Sequence, residues 1–179
     1  PVNASYQGDT RYNDRWSDVS LAAIQASEAA DRAALARIRA IDRNALSPAE
    51  QLNYDTFLWL QEKSVERQKF RTWLQPLGHQ GGVQTLDGVA EVLPFATTKD
   101  YRDWLKRMDA LPVLVDQTIA LMREGVKAGS MPPKVLMQRV PRQIAAQIVD
   151  DPTQSPFYGA FKKFRDGVPQ ADRAGLQAE

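Results

Sequence analysis

The sequence contains no cysteine and only one histidine among its 179 residues. Without cysteine the chain has no disulfide bond and no thiolate metal site, which is compatible with a bacterial periplasm as well as with a cytosol. A His-Glu-x-x-His zinc site needs two imidazoles one helical turn apart, and His79 alone cannot supply them. No Ser/His/Asp or Cys/His set exists beyond His79. We therefore expect no catalytic residue, no metal ligand and no cofactor in this chain.

Strong net charge and long apolar runs are also lacking. The chain has 23 basic and 22 acidic residues and a formal charge of +1, so we expect no field that attracts phosphate backbones and no nucleic-acid partner. No apolar run approaches the roughly 20 residues that span a bilayer, and we expect no transmembrane segment. The first five residues, PVNAS, lack the basic and apolar regions of a signal peptide. Because the chain starts with proline, we expect it to be part of a longer translation product.

The apolar residues that are present recur at helical spacing. Candidate helices cover about 17–44, from Pro48 to about 74, from Thr98, from Pro112, from 132–133 to about 150, a short stretch from Pro156, and 170–179. The clearest start is SPAE at 47–50, where serine caps the helix, proline takes the first position and glutamate completes a capping box. Very short turns favour antiparallel neighbours. We predict an all-α fold, an antiparallel array of about six or seven helices in one domain spanning 1–179.

Two of these helices carry unusual features. The helix from Pro48 is apolar nearly all round for one turn, which indicates burial between several neighbours; the residues are Tyr54, Phe57, Leu58, Trp59 and Leu60. In the helix after residue 133, Pro141 lacks the amide that would bond the carbonyl of Met137, so we expect a kink or a break there.

The polar segment before the first predicted helix ends in aromatic residues. It is rich in turn-forming residues and carries Tyr12 and Trp16. We interpret it as a tail that these two side chains pin onto the body of the protein. The alternative is a lip that contacts a substrate.

Residues 75–97 form the longest irregular stretch of the sequence, with glycine and proline throughout. Loops of this length in compact domains are often functional. His79 lies here and could act as a general base or as one ligand of a metal held elsewhere; a hydrogen-bonded loop histidine is the other interpretation. Arg139 and Arg142 lie near the expected break at Pro141. His79, Arg139 and Arg142 are our candidates for substrate binding, and a solvated face is the alternative for the two arginines.

The carboxy-terminal region offers a candidate association surface. Three aromatic residues at helical spacing, Phe157, Phe161 and Phe164, precede a last helix with little apolar content. If these aromatics are exposed, they would form an apolar patch of unusual size for a soluble monomer. We expect self-association there, or binding of a missing later half of the protein.

The order of several short motifs resembles the first half of a bacterial family, domain of unknown function 885. The motifs cover most of the chain; they are GD at 8–9, DRWSD at 14–18, Asp42, LSPAEQLNYD at 46–55, TKDY at 98–101, Leu105 to Pro112, Gly125 to Gly129 and PPKV at 132–135.

The resemblance implies a longer, mainly helical protein, exported to the bacterial periplasm or anchored as a lipoprotein. It also implies a zinc-dependent peptidase or related hydrolase, because family members carry a histidine-glutamate motif ending in Pro-Gly-His in their later half. That motif is absent here. We therefore expect a non-catalytic amino-terminal portion that acts as a scaffold and as one wall of a cleft for a peptide substrate. The alternative is a self-contained helical protein-interaction module.

Overall fold

The computed structural model describes all residues, 1–179, and it contains eight α-helices and no β-strand. The helices are α1 Val2–Tyr6, α2 Leu21–Arg39, α3 Pro48–Gln68, α4 Thr98–Asp109, α5 Leu111–Lys127, α6 Lys134–Met137, α7 Val140–Ala145 and α8 Gln170–Ala178. Six 3₁₀ helices lie between them: Thr10–Tyr12, Arg43–Ala45, Thr72–Leu74, Val83–Val92, Pro152–Gln154 and Pro156–Lys162.

The all-α class predicted from periodicity is confirmed, with slightly more helices than predicted. Helix α1 was not predicted from the sequence. Helices α6 and α7 together replace one predicted helix. None of the helices is long and apolar enough to span a membrane. Within residues 75–97 one isolated antiparallel bridge joins Gly78 and Gly81.

The chain divides into two compact units. Unit 1 consists of Pro1–Asp18 and Gln75–Glu179, and unit 2 is the intervening segment Val19–Leu74. Unit 1 is therefore built from two pieces of chain that are distant in sequence. That residues 1–179 behave as one domain stays a prediction.

Unit 2 is a helical hairpin of α2 and α3. Arg39 pairs with Glu62, Asp31 with Ser64 and Glu28 with Gln68, so residue numbers fall along α2 as they rise along α3 and the helices are antiparallel. The predicted capping box is present: the Ser47 amide donates to Glu50 at 2.9 Å, and the Glu50 amide donates back to the Ser47 hydroxyl at 3.4 Å.

The expected burial of α3 is wrong for this chain, because no residue of α3 is buried. Trp59 is 58% exposed and Leu52 is 68% exposed. Only one side of α3 faces α2, since a two-helix hairpin covers each helix on a single side. An apolar composition around the whole helix therefore leaves several large side chains in solvent.

Unit 1 has an aromatic core around α4. Trp104 is fully buried, Tyr101 and Phe161 are 1% exposed, and the Trp104 ring stacks on Phe157 with centroids 5.9 Å apart. Tyr101 also contacts Phe164 at 4.9 Å between ring centroids. The expected exposed patch of Phe157, Phe161 and Phe164 is therefore wrong. Phe161 belongs to the buried core, and Phe157 and Phe164 are half-buried residues that pack against this core and the apolar side of α4.

The predicted break at Pro141 is confirmed. α6 ends at Met137 and α7 begins at Val140, with Pro141 in its first turn, where a missing amide proton loses no helical hydrogen bond. The helix predicted from 132–133 to about 150 is consequently two short helices.

Candidate functional site

The most enclosed polar group of unit 1 is the guanidinium of Arg107 on α4, which is fully buried. Its Nη2 donates to the carbonyl of Tyr12 at 2.7 Å and to the Ser5 hydroxyl at 3.2 Å, and its Nε donates to the carbonyl of Arg15 at 3.1 Å. The Trp16 ring lies 5.0 Å from the guanidinium carbon, and the indole of Trp16 donates to the backbone carbonyl of Arg107. One side chain thus holds four points of the amino-terminal segment.

No carboxylate forms an ion pair with Arg107. Burial lowers the pKa of the Arg107 guanidinium, and the charges of Asp14 and Asp103 act in the opposite direction. Because an arginine remains a cation at neutral pH, backbone carbonyl oxygens and the Trp16 ring compensate this buried charge. Its Nη1 has no hydrogen-bond partner.

This geometry agrees with the interpretation of residues 1–16 as a docked tail. Trp16 is buried, whereas the Tyr12 ring is partly exposed and contributes through its carbonyl. The sequence pattern does not predict the role of Arg107, because charged residues of a helix ordinarily face solvent. The sequence signal is the spacing: Asp103 and Arg107 are four residues apart and therefore lie on one side of a helix. The structure shows that both are buried.

His79 lies in the turn between Gly78 and Gly81 and is half-buried. Three glutamines connect this turn and the following segment to α7. Gln143 of α7 donates to the His79 carbonyl at 2.9 Å, and Gln84 donates to the Gly78 carbonyl at 2.8 Å. Gln147 donates to the carbonyl of Gln84 at 3.1 Å. What the structure shows for His79 is a backbone anchoring point.

Gly82 is required by the same turn. Its φ is +143°, which side chains rarely adopt, and an added Cβ would lie 2.3 Å from Leu77 Cδ1 and 2.7 Å from Gln84 Oε1. The Oε1 atoms of Gln84 and Gln147 are buried without a partner. The network is therefore a tightly packed polar junction, and the sequence signal for it is the glutamine pair 143 and 147 at helical spacing.

The other two candidates for substrate binding, Arg139 and Arg142, lie at the start of α7 and are exposed. Arg142 is next in sequence to Gln143, so the structure brings the backbone of His79 and the first turn of α7 together. It shows no contact between the His79 ring and either guanidinium. Their role in binding a substrate stays a prediction.

A largely apolar cleft of about 450 Å³ opens in unit 1, a size in the range of small-molecule pockets. α4, the 3₁₀ helices Pro152–Gln154 and Pro156–Lys162, and α8 form its walls; the lining residues include Leu105, Met108, Phe157, Tyr158, Phe161 and Leu176. The sequence pattern did not point to this cleft, because its walls come from four elements whose packing cannot be read from spacing.

In unit 2 the exposed side of α3 is the most distinctive surface. Leu52, Thr56, Trp59 and Leu60 follow the spacing i, i+4, i+7, i+8, which places them on one face of the helix. We call these four residues the α3 stripe. The half-buried residues lie on the opposite side of the helix; among them are Tyr54, Leu58, Gln61, Val65 and Gln68. α3 therefore has two apolar faces in its first half, and only one of them is covered.

Beyond the α3 stripe the same face becomes charged. Lys63 pairs with Glu66 at 2.9 Å, and Lys69 also contacts Glu66. The apolar character is thus confined to the first half of the helix.

The structure groups no three histidine, aspartate or glutamate side chains that could hold a metal ion.

The fold and these surfaces define an all-α protein with a helical hairpin, an aromatic core and a largely exposed apolar helix face. A family model described as "Bacterial protein of unknown function (DUF885)" matches residues 1–179, and the chain belongs to this family. No curated protein and no solved structure matches the chain.

Proposed function

We propose that this chain is a non-catalytic helical portion of a zinc-dependent peptidase or related hydrolase. In this proposal it serves as a scaffold and as one wall of the substrate cleft, while the zinc and its ligands belong to a later part of the parent protein. The observation that carries the proposal is the α3 stripe, in which Leu52, Trp59 and Leu60 expose large apolar side chains on a capped helix.

The α3 stripe supports a role in association because the free energy falls when another surface removes exposed apolar side chains from water. Burial contributes roughly 25 cal/mol per Å² of apolar surface, and contiguous apolar patches on soluble proteins often mark interaction sites. Trp59 is the largest side chain of the stripe, and tryptophan is enriched among the residues that dominate binding energy. We assign the partner surface to the later, catalytic part of the parent protein.

The alternative is a self-contained helical interaction module without enzymatic activity. The same α3 stripe favours it, because the stripe would serve equally well to bind a separate protein. The two proposals differ in what binding produces, which is hydrolytic activity in the first and none in the second.

We also propose an exported location, either in the bacterial periplasm or as a lipoprotein, and peptides as the substrate of the parent protein. Both proposals rest on what the resemblance to the bacterial family 885 implies. Fractionation of cells that express the full-length parent tests the location.

The test of the main proposal combines the chain with the later part of its parent, expressed separately. We expect sedimentation to show a complex and a peptidase assay with zinc to show activity only in the mixture. Trp59→Glu should abolish both results, because it places a charge in the apolar contact. The matched control is Gln25→Glu, which makes the same kind of change at an exposed position of α2.

Three results would contradict the proposal. A monomeric chain that hydrolyses peptides by itself would show that it holds an active site. A complex with no activity would favour the interaction module. A Trp59→Glu variant that still forms the complex would remove the α3 stripe from the contact.

A further inference from the structure

A polar cleft of about 170 Å³ lies at one end of the hairpin in unit 2. Two acids of α2 and the last two turns of α3 line the cleft, and residues 71–73, which follow α3, close it. The lining residues are Glu28, Asp31, Ser64, Arg67, Gln68, Arg71, Thr72 and Trp73. At about 30 Å³ per water molecule, this volume holds a group of about six non-hydrogen atoms.

Hydrogen bonds within unit 2 fix the walls of the cleft. The indole of Trp73 donates to Glu28 Oε1 at 3.2 Å, and the Ser64 hydroxyl donates to Asp31 Oδ2 at 2.7 Å. Gln68 Nε2 donates to the backbone carbonyl of Glu28 at 3.0 Å. Each acid of the cleft therefore already has a hydrogen-bond donor from the protein.

Arg71 adopts a backbone conformation that arginine rarely takes. Its φ is +47°, in the left-handed region where glycine or asparagine is usual after a helix, and this conformation is unfavourable for a residue that carries a Cβ. Its guanidinium lies over the Trp73 ring, 5.0 Å from the ring centroid. The hydrogen bond from Trp73 to Glu28 holds that ring, so the planar guanidinium is positioned at the edge of the cleft. A glycine would fold this turn more easily, so the arginine side chain itself needs an explanation.

Neither arginine of the cleft is paired with a carboxylate. The chain contains eight ion pairs, and none of them includes Arg67 or Arg71. Each guanidinium carries five N–H donors in a planar fork that matches the two oxygens of a carboxylate. The cleft thus has two guanidinium groups without a carboxylate partner from the protein, while each of its two acids already accepts one hydrogen bond.

We propose that this cleft binds a carboxylate group through Arg67 and Arg71. A carboxylate fits better than a phosphate because Glu28 and Asp31 line the same small cleft, and their charges repel a dianion more than a monoanion. Trp73 provides an apolar ring beside the arginines for the carbon atoms next to the carboxylate. The source is either a small free acid or the carboxylate of a peptide. This inference is independent of the proposed function.

The experiment titrates the full chain at constant ionic strength and follows the indole N–H resonance of Trp73 by NMR, assigned with Trp73→Phe. The probes are acetate, inorganic phosphate, and N-acetylated Ala-Ala with a free or an amidated carboxy terminus. We expect saturable shifts with acetate and with the free-acid peptide. Tighter binding of the peptide would assign the site to peptide carboxylates, and equal binding would assign it to small acids.

Arg71→Gly is the decisive variant, because it removes the guanidinium and suits the backbone conformation. We expect it to fold at least as stably as the unmodified chain and to weaken acetate binding about tenfold, which corresponds to ~1.4 kcal/mol. Arg123→Gly, at an exposed position of α5 in unit 1, should leave the titration unchanged. The proposal is overturned if acetate causes no saturable shift, if phosphate binds as well as acetate, or if Arg71→Gly binds acetate normally.

Discussion

Helices α4 and α3 show two opposite ways of using apolar residues. α4 has 12 residues and buries four of them, Tyr101, Asp103, Trp104 and Arg107. α3 has 21 residues and buries none. The shorter helix is held by its surroundings, whereas the longer one is held by its cap, its ion pairs and one apolar side. Length and capping can therefore stabilise a helix that is not part of a core.

The two units differ in the same way. In unit 1 a contiguous cluster of aromatic and aliphatic side chains surrounds α4. In unit 2 polar contacts along the hairpin are prominent, among them Arg39 with Glu62 and Arg43 with Asp55. Exposed ion pairs contribute little, typically below about 1 kcal/mol each. We therefore expect substitutions in unit 1 to have the larger effects on stability.

The two tryptophans at the centres of these helices give the largest contrast. Trp104→Ala should destabilise the chain by about 4 kcal/mol, because it opens a cavity in the aromatic core and removes the hydrogen bond to the Phe157 carbonyl. Trp59→Ala should change stability by less than about 0.5 kcal/mol, because its ring is largely exposed. Urea unfolding followed by circular dichroism measures both. Equal effects would contradict the contrast between α4 and α3.

Arg107→Ala tests whether the buried guanidinium is required. We expect a loss of about 3 kcal/mol, because the carbonyls of Tyr12 and Arg15 and the hydroxyl of Ser5 lose their donor. Arg102→Ala, on the exposed side of α4, is the matched control and should stay within about 0.5 kcal/mol of the unmodified chain. The same urea titration measures both. If the two variants are alike, Arg107 does not hold the tail.

Ser47→Ala removes the cap of α3. We expect a loss of about 1 kcal/mol in the free energy of unfolding, with a loss of helical signal from α3. Hydrogen bonds from the Ser47 hydroxyl and amide hold the pKa of Glu50 below its ordinary value. A carboxyl whose pKa is lowered by folding stabilises the folded state above its unfolded pKa, and this contribution disappears as the pH falls through the folded pKa. Thermal unfolding between pH 6 and about 3 should therefore show a smaller acid-induced decrease for Ser47→Ala. A decrease equal to that of the unmodified chain would contradict the linkage.

Pro141→Ala should have the smallest effect, within about 0.5 kcal/mol. The proline stands in the first turn of α7, where its missing amide loses no bond, and the interruption between α6 and α7 precedes it. Thermal denaturation measures the change. A strong destabilisation would show that packing requires the break itself.

Local chemistry explains what the sequence could predict. The start of α3 at Pro48 followed from Ser47 and Glu50, since a capping box involves only neighbouring residues. The start of α4 at Thr98 was also predicted correctly. Thr97 caps this helix: its amide and its hydroxyl both donate to the Asp100 carboxylate. Features of this kind depend on a few consecutive residues and can be read from spacing.

Burial depends on partners distant in sequence, and there the pattern failed. An apolar helix such as α3 looks the same whether its neighbours belong to this chain or to another one. A buried arginine looks like a surface arginine until residues about a hundred positions away surround it. The cleft with Arg67 and Arg71 was not predicted either. Its lining residues come from two helices, and the left-handed backbone of Arg71 is contrary to the ordinary preference of arginine.

The attachment of the tail to Arg107 has a consequence for folding. Arg107 is separated from Trp16 by 91 positions and from Ser5 by 102, and the whole hairpin lies between them. During synthesis the hairpin can form as soon as its own residues leave the ribosome, because its contacts are local. The first 16 residues must wait until α4 has been made. At about 5–20 residues per second, the tail remains unattached for several seconds, and Trp16 is accessible to chaperones and proteases throughout that interval.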